Sequence, residues 1–381
     1  MVARHGRREA GHVIPIRHPS PVYSADDHRY LARALELAQR GLYTTSPNPR
    51  VGCVLVRDGE VVGEGWHERA GAPHAEVNAL QAAADRARGA TAYVTLEPCS
   101  HHGRTPPCVD ALAASGVARV VAATGDPSPR AGKGLEMLRD RRIEVAAGLL
   151  ENEARELNIG FFARLTRGRP WVRMKIAASL DGKTALANGS SQWITGEVAR
   201  RDGHHWRARA CAILTGIGTV NEDDPRLTVR EVASSRQPLR VVVDSRIETP
   251  PRARILEGGG VLIAAAHDER SRRRALEERG AEVIVLPNAA GKVEFRDLFA
   301  ELARREINEV HVEAGFKLNG SLLREGMVDE LLLYLAPNVI GERARGMFNL
   351  PELTALSGMR RVAIQDLRMI GNDIRVLARF A

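Results

Sequence analysis

Aromatic residues, cysteines and long apolar runs are all scarce in this sequence of 381 residues. Aromatic residues make up 4% of it, and cysteine occurs four times. No apolar run approaches the roughly 20 residues that a membrane-spanning helix needs. No arginine-rich block with interleaved aromatic residues is present either, so a stacking surface for nucleic acid is not indicated. We therefore expect a soluble globular protein that binds neither a membrane nor nucleic acid.

The N-terminal segment 1–24 is rich in arginine and lacks the apolar stretch of a secretory signal. A transit peptide is the alternative, but the segment is poor in serine and contains Glu9, so we interpret it as a disordered basic extension. Without a signal, the four cysteines are expected to remain reduced in the cytoplasm rather than to form two disulfides. Cys53 and Cys211 lie in the apolar runs VGCVLV and CAILTG, which predicts buried strand positions without a chemical role.

The formal net charge of +8 restricts the class of ligand. The first 24 residues hold four arginines and one glutamate, so the remainder of the chain is only mildly basic. That balance suits an anionic small substrate or cofactor at least as well as nucleic acid.

Alternating strand and helix patterns predict two α/β domains. The first extends over 25–164; a cap at Ser24 begins an amphipathic helix, and Asp58-Gly59 between two apolar runs predicts a hairpin. A single helix is predicted over 151–164, and 165–170 is the predicted linker. The second domain extends over 171–381. Its last quarter contains three strands without long helices between them, which predicts antiparallel strands added to a mostly parallel sheet.

The most specific signal is His74-Ala-Glu76, followed by Pro98-Cys99 and then Cys108. Three soft ligands, His74, Cys99 and Cys108, can bind Zn²⁺ and leave the fourth position open for water. Glu76 is then free to transfer protons, as in hydrolytic zinc deaminases. Cys108 follows two prolines at a predicted helix start, and a helix N-terminus favours the thiolate.

The alternative interpretations of these residues are two unpaired core thiols or a closed structural zinc site. A closed site needs a fourth protein ligand, which His101 or His102 could supply. Glu76 would then have no role, so the spacing favours the open, catalytic site.

A resemblance extends this interpretation over about residues 25 to 381. The runs NPRVGCVLV, HAEVNAL and TLEPCSHHGRTPPC, with eight residues between the cysteines, resemble the deaminase half of the bifunctional riboflavin-biosynthesis family. Members of that family join a diaminohydroxyphosphoribosylaminopyrimidine deaminase to a 5-amino-6-(5-phosphoribosylamino)uracil reductase. The resemblance implies a cytidine-deaminase-like α/β/α sandwich, followed by a dihydrofolate-reductase-like α/β domain.

The same resemblance assigns roles in the deaminase half. It makes His74, Cys99 and Cys108 the zinc ligands and Glu76 the proton shuttle, with the pyrimidine amine leaving as ammonia. Asn48, in Ser-Pro-Asn-Pro, lies where the family contacts its substrate, although a turn asparagine is the alternative.

One loop of the deaminase half departs from the family pattern. The segment 126–134 is one residue shorter than the family's D-P-x-P-x-V-x-G-x-G loop and lacks its valine. We expect this departure to affect the shape of the pocket or a contact between domains, and to leave the metal ligands unchanged.

No Rossmann fingerprint occurs in the second domain, because Asn221 stands where a third glycine would follow Gly216-Ile-Gly218. The sequence pattern alone predicts only an α/β sheet here. The runs KIAASLDGKTA, SSQWITG, ILTGIGTVNEDDPRLTVR and VEAGFKLNGSLL are similar, in order, to the family's reductase half, which uses NADPH. The resemblance implies cofactor contacts at Ala177, Trp193, Thr219, Asp223, Ser245, Gly315, Phe316, Lys317, Leu318, Asn319, Gly320 and Ser321. It implies substrate contacts at Ser191, Arg207, Leu227, Arg230 and Glu313.

The residue types fit those roles. Arg207 and Arg230 can offer planar donors to a phosphate, although solvated surface charges are the alternative. The backbone at Gly315 can approach a pyrophosphate, with a helix N-terminus behind it. We hypothesise that Arg246 and the adjacent Ser245 bind the 2′-phosphate of NADPH.

Two further groups are candidates for the reductase chemistry. Lys175 lies in an apolar strand and is either an acid or cofactor contact, or a lysine that points to solvent. Asp223 and Glu313 are the candidates for the proton donor.

The sequence therefore predicts a two-step, zinc- and NADPH-dependent enzyme of riboflavin biosynthesis. The first step deaminates 2,5-diamino-6-(5-phosphoribosylamino)pyrimidin-4(3H)-one, and the second reduces the ribosyl group of the product to ribityl. The alternative is a tRNA-type base deaminase with an appended domain, which the spacing of the cysteines and the whole second domain oppose. A non-catalytic regulator is a third interpretation, which the intact Glu76 opposes. We expect a homodimer formed through the reductase half.

Overall fold

The computed structural model describes residues 23–102, 106–129 and 132–380. Of the extension predicted over 1–24, all but Tyr23 and Ser24 lies outside the described residues. Within the described ranges, no helix combines the length and the apolar character that crossing a membrane requires.

In the described part of the chain, the first half forms one sheet and six α-helices. The strands are β1 (Gly52–Arg57), β2 (Glu60–Trp66), β3 (Thr91–Val94), β4 (Arg119–Ala122) and β5 (Glu144–Ala147). The helices are α1 (Ala25–Gln39), α2 (Ala75–Ala83), α3 (Cys108–Ala114), α4 (Gly134–Asp140), α5 (Glu151–Leu157) and α6 (Ile159–Arg167). The sheet order is β2-β1-β3-β4-β5, with β1 antiparallel to both neighbours and β3, β4 and β5 parallel.

Helices cover both faces of this sheet. Leu31 of α1 and Ala154 of α5 belong to the core on one face. Ala79 of α2, Leu112 of α3 and Leu138 of α4 belong to the core on the other face. The arrangement is the predicted α/β/α sandwich, because a sheet buried on both faces needs a helical layer on each side.

Two local predictions in this half are confirmed. The side chain of Ser24 accepts a hydrogen bond from Asp27 N, and Asp27 accepts one from Ser24 N, which completes a capping box on α1. Asp58 and Gly59 join β1 to β2 with positive φ angles of 51° and 81°, as an Asp-Gly hairpin requires.

Gly65 allows strand β2 and helix α2 to lie in direct contact. A Cβ atom at this position would lie 2.4 Å from Ala75 O and 2.4 Å from Ala79 N. Any side chain would therefore push α2 away from the sheet. This close contact fixes the beginning of α2, where His74 and Glu76 lie.

In the described part of the chain, the second half forms a nine-stranded sheet, a two-stranded sheet and five α-helices. The strands are β6 (Trp171–Ser179), β7 (Lys183–Ala185), β8 (Ala212–Gly216), β9 (Leu239–Val243), β10 (Val261–Ala265), β11 (Ala281–Val285), β12 (Glu309–Val312), β13 (Glu330–Ala336), β14 (Arg345–Gly346), β15 (Val362–Ile370) and β16 (Asp373–Phe380). The helices are α7 (Glu197–Arg209), α8 (Ile217–Asp223), α9 (Arg270–Glu277), α10 (Phe295–Arg304) and α11 (Phe316–Arg324).

The large sheet has the order β11-β10-β9-β8-β12-β6-β13-β16-β15. Neighbouring strands are parallel from β11 to β13, whereas β16 is antiparallel to both β13 and β15. The prediction of antiparallel strands added to a mostly parallel sheet is therefore confirmed for β15 and β16, whereas β13, the first of the three strands concerned, is parallel to β6. The strands β7 and β14 pair separately.

The connection between the halves differs from the single helix predicted over 151–164. It consists of α5 and α6, which are separated at Asn158. The Asn158 side chain accepts from Arg50 N at 2.7 Å and donates to Arg50 O at 2.9 Å. Because this asparagine is used to hold a distant backbone segment, its own φ of −110° interrupts the helix. Helix α6 extends to Arg167, inside the predicted linker 165–170, and the division into domains stays a prediction.

Candidate functional site

Three predicted ligands from distant parts of the first half converge. His74 immediately precedes α2, Cys99 follows β3, and Cys108 is the first residue of α3. His74 Nδ1 lies 3.3 Å from Cys108 Sγ and 3.5 Å from Cys99 Sγ. Cys108 N donates to Cys99 Sγ at 3.3 Å, and the three ligand atoms all lie within 4.8 Å of one another.

The chemistry and spacing of these atoms fit a zinc ion. Ideal Zn–S and Zn–N bonds at tetrahedral angles place ligand atoms roughly 3.5 Å apart. The distances from His74 Nδ1 to the two sulfur atoms are 3.3 and 3.5 Å. Within the described ranges, the ligand cluster has three members, and His101 and His102 are exposed and outside it. The geometry favours an open site over a closed structural one.

Glu76 lies in the first turn of α2 and is 3% exposed. Burial raises the pKa of its carboxyl to about 6. The thiol of Cys53 is also fully buried, and burial raises its pKa well above its ordinary value. Cys53 is therefore a core residue, as predicted, and it does not belong to the ligand cluster.

In the second half, the described residues line a cavity of about 1240 Å³. Its walls come from β6, from the segment 191–195, from α7 and α8, and from the segment 313–318. The predicted residues that line it are Ala177, Ser191, Trp193, Arg207, Thr219, Asp223, Leu227, Arg230, Glu313, Gly315, Phe316, Lys317 and Leu318. Its volume is above the range of about 300–1,000 Å³ that is typical of ligand pockets.

The same regions match known families. Residues 24–124 match the family described as cytidine and deoxycytidylate deaminase zinc-binding region, and residues 170–376 match the RibD C-terminal domain. The riboflavin biosynthesis protein RibD of Escherichia coli is 49% identical over 361 residues, which cover 91% of this chain and 98% of the relative.

Solved structures agree with these matches. The structure of Acinetobacter baumannii RibD is similar with a TM-score of 0.87 and 42% identity, covering 93% of this chain and 99% of the other. The chain belongs to the RibD family. The structure of a diaminohydroxyphosphoribosylaminopyrimidine deaminase/5-amino-6-(5-phosphoribosylamino)uracil reductase from Thermotoga maritima is 33% identical with a TM-score of 0.83 and covers 93% of this chain and 99% of the other.

Membership of the RibD family confirms the predicted fold and activity. The N-terminal half is a cytidine-deaminase-like sandwich, and the C-terminal half is a RibD reductase domain with a dihydrofolate-reductase-like fold. The enzyme is a bifunctional deaminase and reductase of riboflavin biosynthesis. The alternative of a nucleic-acid deaminase fails because the whole second half matches the RibD reductase domain.

Four residues predicted to contact the RibD cofactor do not line the cavity: Ser245, Asn319, Gly320 and Ser321. Asn319 is 2% exposed, and a Cβ at Gly320 would lie 2.1 Å from Asn349 O, so both pack inside the protein. Ser321 Oγ donates to Lys317 O within α11. Ser245 lies just after β9, where its carbonyl accepts from Ala266 N and His267 N. Their role as cofactor contacts stays a prediction.

Lys175 faces the cavity of this RibD reductase half. Its Nζ lies 3.9 Å from Glu313 Oε2 and 6.0 Å from the centroid of the Tyr334 ring. Burial lowers the pKa of Lys175. The geometry favours an active-site contact over the alternative of a strand lysine that points to solvent.

Asn48 is connected to the metal-ligand region through a histidine that the sequence analysis missed. The ring of His67 bonds Pro73 O through Nδ1 at 3.0 Å, and its Nε2 lies 3.0 Å from Asn48 Nδ2. Because a carbonyl only accepts, Nδ1 carries the proton and Nε2 accepts from Asn48. Burial lowers the pKa of His67, which keeps the ring neutral. Its position at the end of the predicted strand β2 is the one signal that could have identified it.

The shortened loop 126–134 is anchored by a second missed residue, Glu97. Its Oε2 accepts from Asp126 N at 3.1 Å, and its Oε1 accepts from Leu135 N at 3.0 Å. Burial raises the pKa of Asp126 to about 6. The carboxylate of Glu97, two residues before Cys99, thus holds both ends of the loop. Residues 130–131 lie outside the described ranges, so the effect of the shorter loop on the pocket stays a prediction.

A third missed residue, His204 of α7, lines the reductase cavity. Its Nδ1 accepts from Arg230 N at 3.3 Å. Burial, together with the guanidiniums of Arg207 and Arg230, lowers its pKa to about 4. The ring is therefore a neutral acceptor at physiological pH.

Proposed function

We propose that His74, Cys99 and Cys108 bind one zinc ion and that Glu76 is the proton shuttle of the deamination. The convergence of the three ligand atoms next to a buried glutamate is the observation that carries this proposal. A zinc ion bound there would supply the Lewis acid that makes water a nucleophile at neutral pH. Glu76 takes a proton from the attacking water and delivers it to the departing amine, which leaves as ammonia.

We propose 2,5-diamino-6-(5-phosphoribosylamino)pyrimidin-4(3H)-one as the substrate of this site, with Asn48 as a contact. The Thermotoga maritima relative is, by its name, a deaminase of this chemical class. The side-chain oxygen of Asn48 is available to a ligand, because its amide nitrogen is oriented towards His67 Nε2. A neutral amide suits the polar edge of a pyrimidine.

We propose that NADPH is the cofactor of the reductase half. NADPH would supply the hydride. Gly315 caps α11, so the backbone there can approach a pyrophosphate at the helix N-terminus. Arg246 follows Ser245 and its side chain is 67% exposed, so its guanidinium is accessible to the 2′-phosphate.

Other residues that line the cavity are proposed to hold 5-amino-6-(5-phosphoribosylamino)uracil so that C1′ of its opened ribosyl group receives the hydride. Arg230 is exposed and can donate to the phosphate, while Ser191 and Leu227 line the cavity. These residues align the reacting carbons and exclude water, and the product is the ribityl compound.

We also propose that the enzyme is a homodimer formed through the reductase half. Strand β15 is at the edge of the large sheet and exposes apolar side chains, with Ile364 61%, Leu367 60% and Met369 59% exposed. A long apolar edge strand favours pairing with another chain. Replacing both Ile364 and Leu367 by glutamate is expected to give a monomer in sedimentation experiments, and an unchanged mass would contradict the proposal.

A cytoplasmic location is proposed from the cysteines. All four are free, and Cys53, Cys108 and Cys211 are buried. Cys53 and Cys211 lie outside the ligand cluster, and buried thiols without a disulfide are typical of a reducing compartment.

A coupled assay tests the proposed order of reactions. The purified protein is mixed with the diaminopyrimidine substrate and NADPH, and the nicotinamide absorbance is followed. We expect absorbance to fall only after deamination. In the Glu76→Ala variant, the nicotinamide absorbance should stay constant with the diaminopyrimidine and should fall at the normal rate with the deaminated compound. A fall in absorbance with the diaminopyrimidine in this variant would contradict the proposal.

A further inference from the structure

The loop that carries Asn48 is held in place by residues from the other half of the enzyme. Asn308 Nδ2 donates to Pro47 O at 2.8 Å, and Arg50 Nη1 donates to Glu309 Oε1 at 2.8 Å. Both reductase-half residues lie about 260 positions further along the chain. The deaminase loop is therefore held in part by contacts that only the complete chain provides.

The bond from Asn308 acts on the residue next to Asn48. Proline has no backbone N–H, so the carbonyl is the one main-chain group through which Pro47 can be held by a hydrogen bond. The side chain of Asn48 is held by His67, whose Nε2 lies 3.0 Å from Asn48 Nδ2. Within the deaminase half, Asn48 N also donates to Thr45 O at 2.9 Å. The position of the Asn48 amide thus depends on two contacts within the deaminase half and on one from the reductase half, which acts through Pro47 O.

Asn308 is itself rigidly placed. It is 6% exposed and immediately precedes β12, which lies within the nine-stranded sheet. Its Oδ1 accepts from Arg164 Nε at 2.6 Å, and its backbone carbonyl accepts from Trp171 N at 2.9 Å. A Cβ atom on Gly160 of α6 would lie 2.6 Å from Asn308 O, so α6 packs directly against this residue. A residue fixed in this way can act as a template for the loop.

The neighbouring ion cluster strengthens the same connection. The Glu309 carboxylate is 1% exposed and accepts from Arg50, Arg173 and Arg209. Arg50 also donates to Leu157 O at 2.7 Å. Because the guanidinium of Arg50 is buried between both halves, the end of the loop cannot move without breaking several charged hydrogen bonds.

We propose that Asn308 is a positioning residue of the deaminase, which sets the place of the Asn48 amide beside the metal-ligand cluster. The proposal rests on the proposed substrate contact of Asn48. Asn308 does not touch the substrate; it acts through the Pro47 carbonyl. The reductase domain therefore completes the substrate site of the deaminase, in addition to catalysing the second reaction.

The test uses the full-length, metal-loaded enzyme with Asn308→Asp. This variant keeps the size of the side chain and the acceptor for Arg164, but it loses the donor to Pro47 O. We expect the deaminase KM to rise roughly fivefold, as for the loss of one hydrogen bond. The bound-metal content and the reductase kcat and KM should be unchanged. An unchanged deaminase KM would overturn the proposal.

Arg164→Gln is the matched control. It removes the other hydrogen bond of the Asn308 side chain and leaves the donor to Pro47 O in place. We expect a deaminase KM within twofold of the unaltered enzyme. An equal increase in both variants would show a general effect of the interface and would also overturn the proposal.

A double-mutant comparison separates this inference from the proposed function. Binding of the diaminopyrimidine substrate is measured by calorimetry in Glu76→Gln protein, so that turnover does not interfere. Asn308→Asp should weaken binding when Asn48 is present and add nothing when Asn48→Ala is also present. If Asn48→Ala alone has no effect, both the substrate contact and the inference are wrong. If Asn48→Ala weakens binding but Asn308→Asp does not, only the inference is wrong.

Discussion

Glu313 and Arg207 form a two-pronged ion pair in the wall of the reductase cavity. Glu313 Oε2 accepts from Arg207 Nη2 at 2.8 Å, and Glu313 Oε1 accepts from Arg207 Nε. Although burial opposes ionisation, the Arg207 guanidinium holds the pKa of Glu313 well below its ordinary value. Arg207 Nη1 also donates to Thr228 O at 3.3 Å. The guanidinium nitrogens of Arg207, which were predicted to bind a phosphate, therefore already donate hydrogen bonds within the protein.

We therefore expect Arg230 to be the more important phosphate contact. We expect Arg230→Ala to raise the reductase KM for the phosphorylated substrate about tenfold or more, because a hydrogen bond to a charged group contributes ~1.5–3 kcal/mol. The KM for the dephosphorylated substrate should not change. Steady-state assays with both compounds check this, and an equal effect on both would contradict the role in phosphate binding.

Arg207→Ala should have a different effect. It leaves the Glu313 carboxylate buried without its main partner, which costs about 3–5 kcal/mol for a buried pair. We expect a clear decrease in thermal unfolding temperature in addition to weaker substrate binding. An unchanged unfolding temperature, measured by calorimetry next to Arg230→Ala, would show that the pair is not structural.

The role of Glu76 is tested by Glu76→Gln. The amide keeps the size of the side chain and cannot exchange the proton, so the deaminase kcat should fall about 10²- to 10⁴-fold. Reduction of the deaminated substrate and the metal content should remain at the level of the unaltered enzyme. A fall in both activities would indicate a loss of folding instead of a loss of proton transfer.

The ligand assignment is tested with two cysteines of the same domain. Cys99→Ser should lose most of the bound zinc and the deaminase activity, because the serine hydroxyl is a poor substitute for a thiolate ligand. Cys53→Ala serves as the control, since Cys53 is buried outside the ligand cluster. Metal analysis of both purified variants checks this. Retention of a full equivalent of zinc by Cys99→Ser would contradict the assignment.

Asp27 gives a pH dependence of stability. Its side chain accepts from Tyr93 OH at 2.9 Å, Arg119 Nη1 at 2.7 Å and Ser24 N at 2.9 Å. Burial raises the pKa of Asp27, but the combined effect of these hydrogen bonds is larger and lowers the pKa to about 2. Because the folded pKa is below the unfolded value, the stabilisation is complete above about pH 4 and is lost as the pH falls towards 2.

Asp27→Asn should therefore lower the free energy of unfolding by about 2 kcal/mol at pH 7. The difference between the variant and the unaltered protein should shrink at pH 3. Urea unfolding at both pH values measures it. A difference that is the same at both pH values would mean that the charge of Asp27 is not responsible.

Much of the local structure could be predicted because neighbouring residues determine it. The capping box of Ser24 and the Asp58-Gly59 hairpin both depend on short-range patterns. The helix over 151–164 was predicted wrongly for the opposite reason. The residues on either side of Asn158 favour a continuous helix. Its side-chain amide, however, bonds both backbone groups of Arg50, more than 100 positions away.

The sequence by itself determined the chemistry of the first half, because one imidazole, two thiols and one carboxylate at this spacing suit a zinc deaminase and little else. Only the tertiary structure decided how these groups are supported. The contacts from His67 to Asn48, from Glu97 to the loop 126–134, and from Asn308 to Pro47 join residues that are between 19 and 261 positions apart. Ligand identity is a property of the side chains themselves, whereas the orientation of a side chain depends on what the folded chain packs against it.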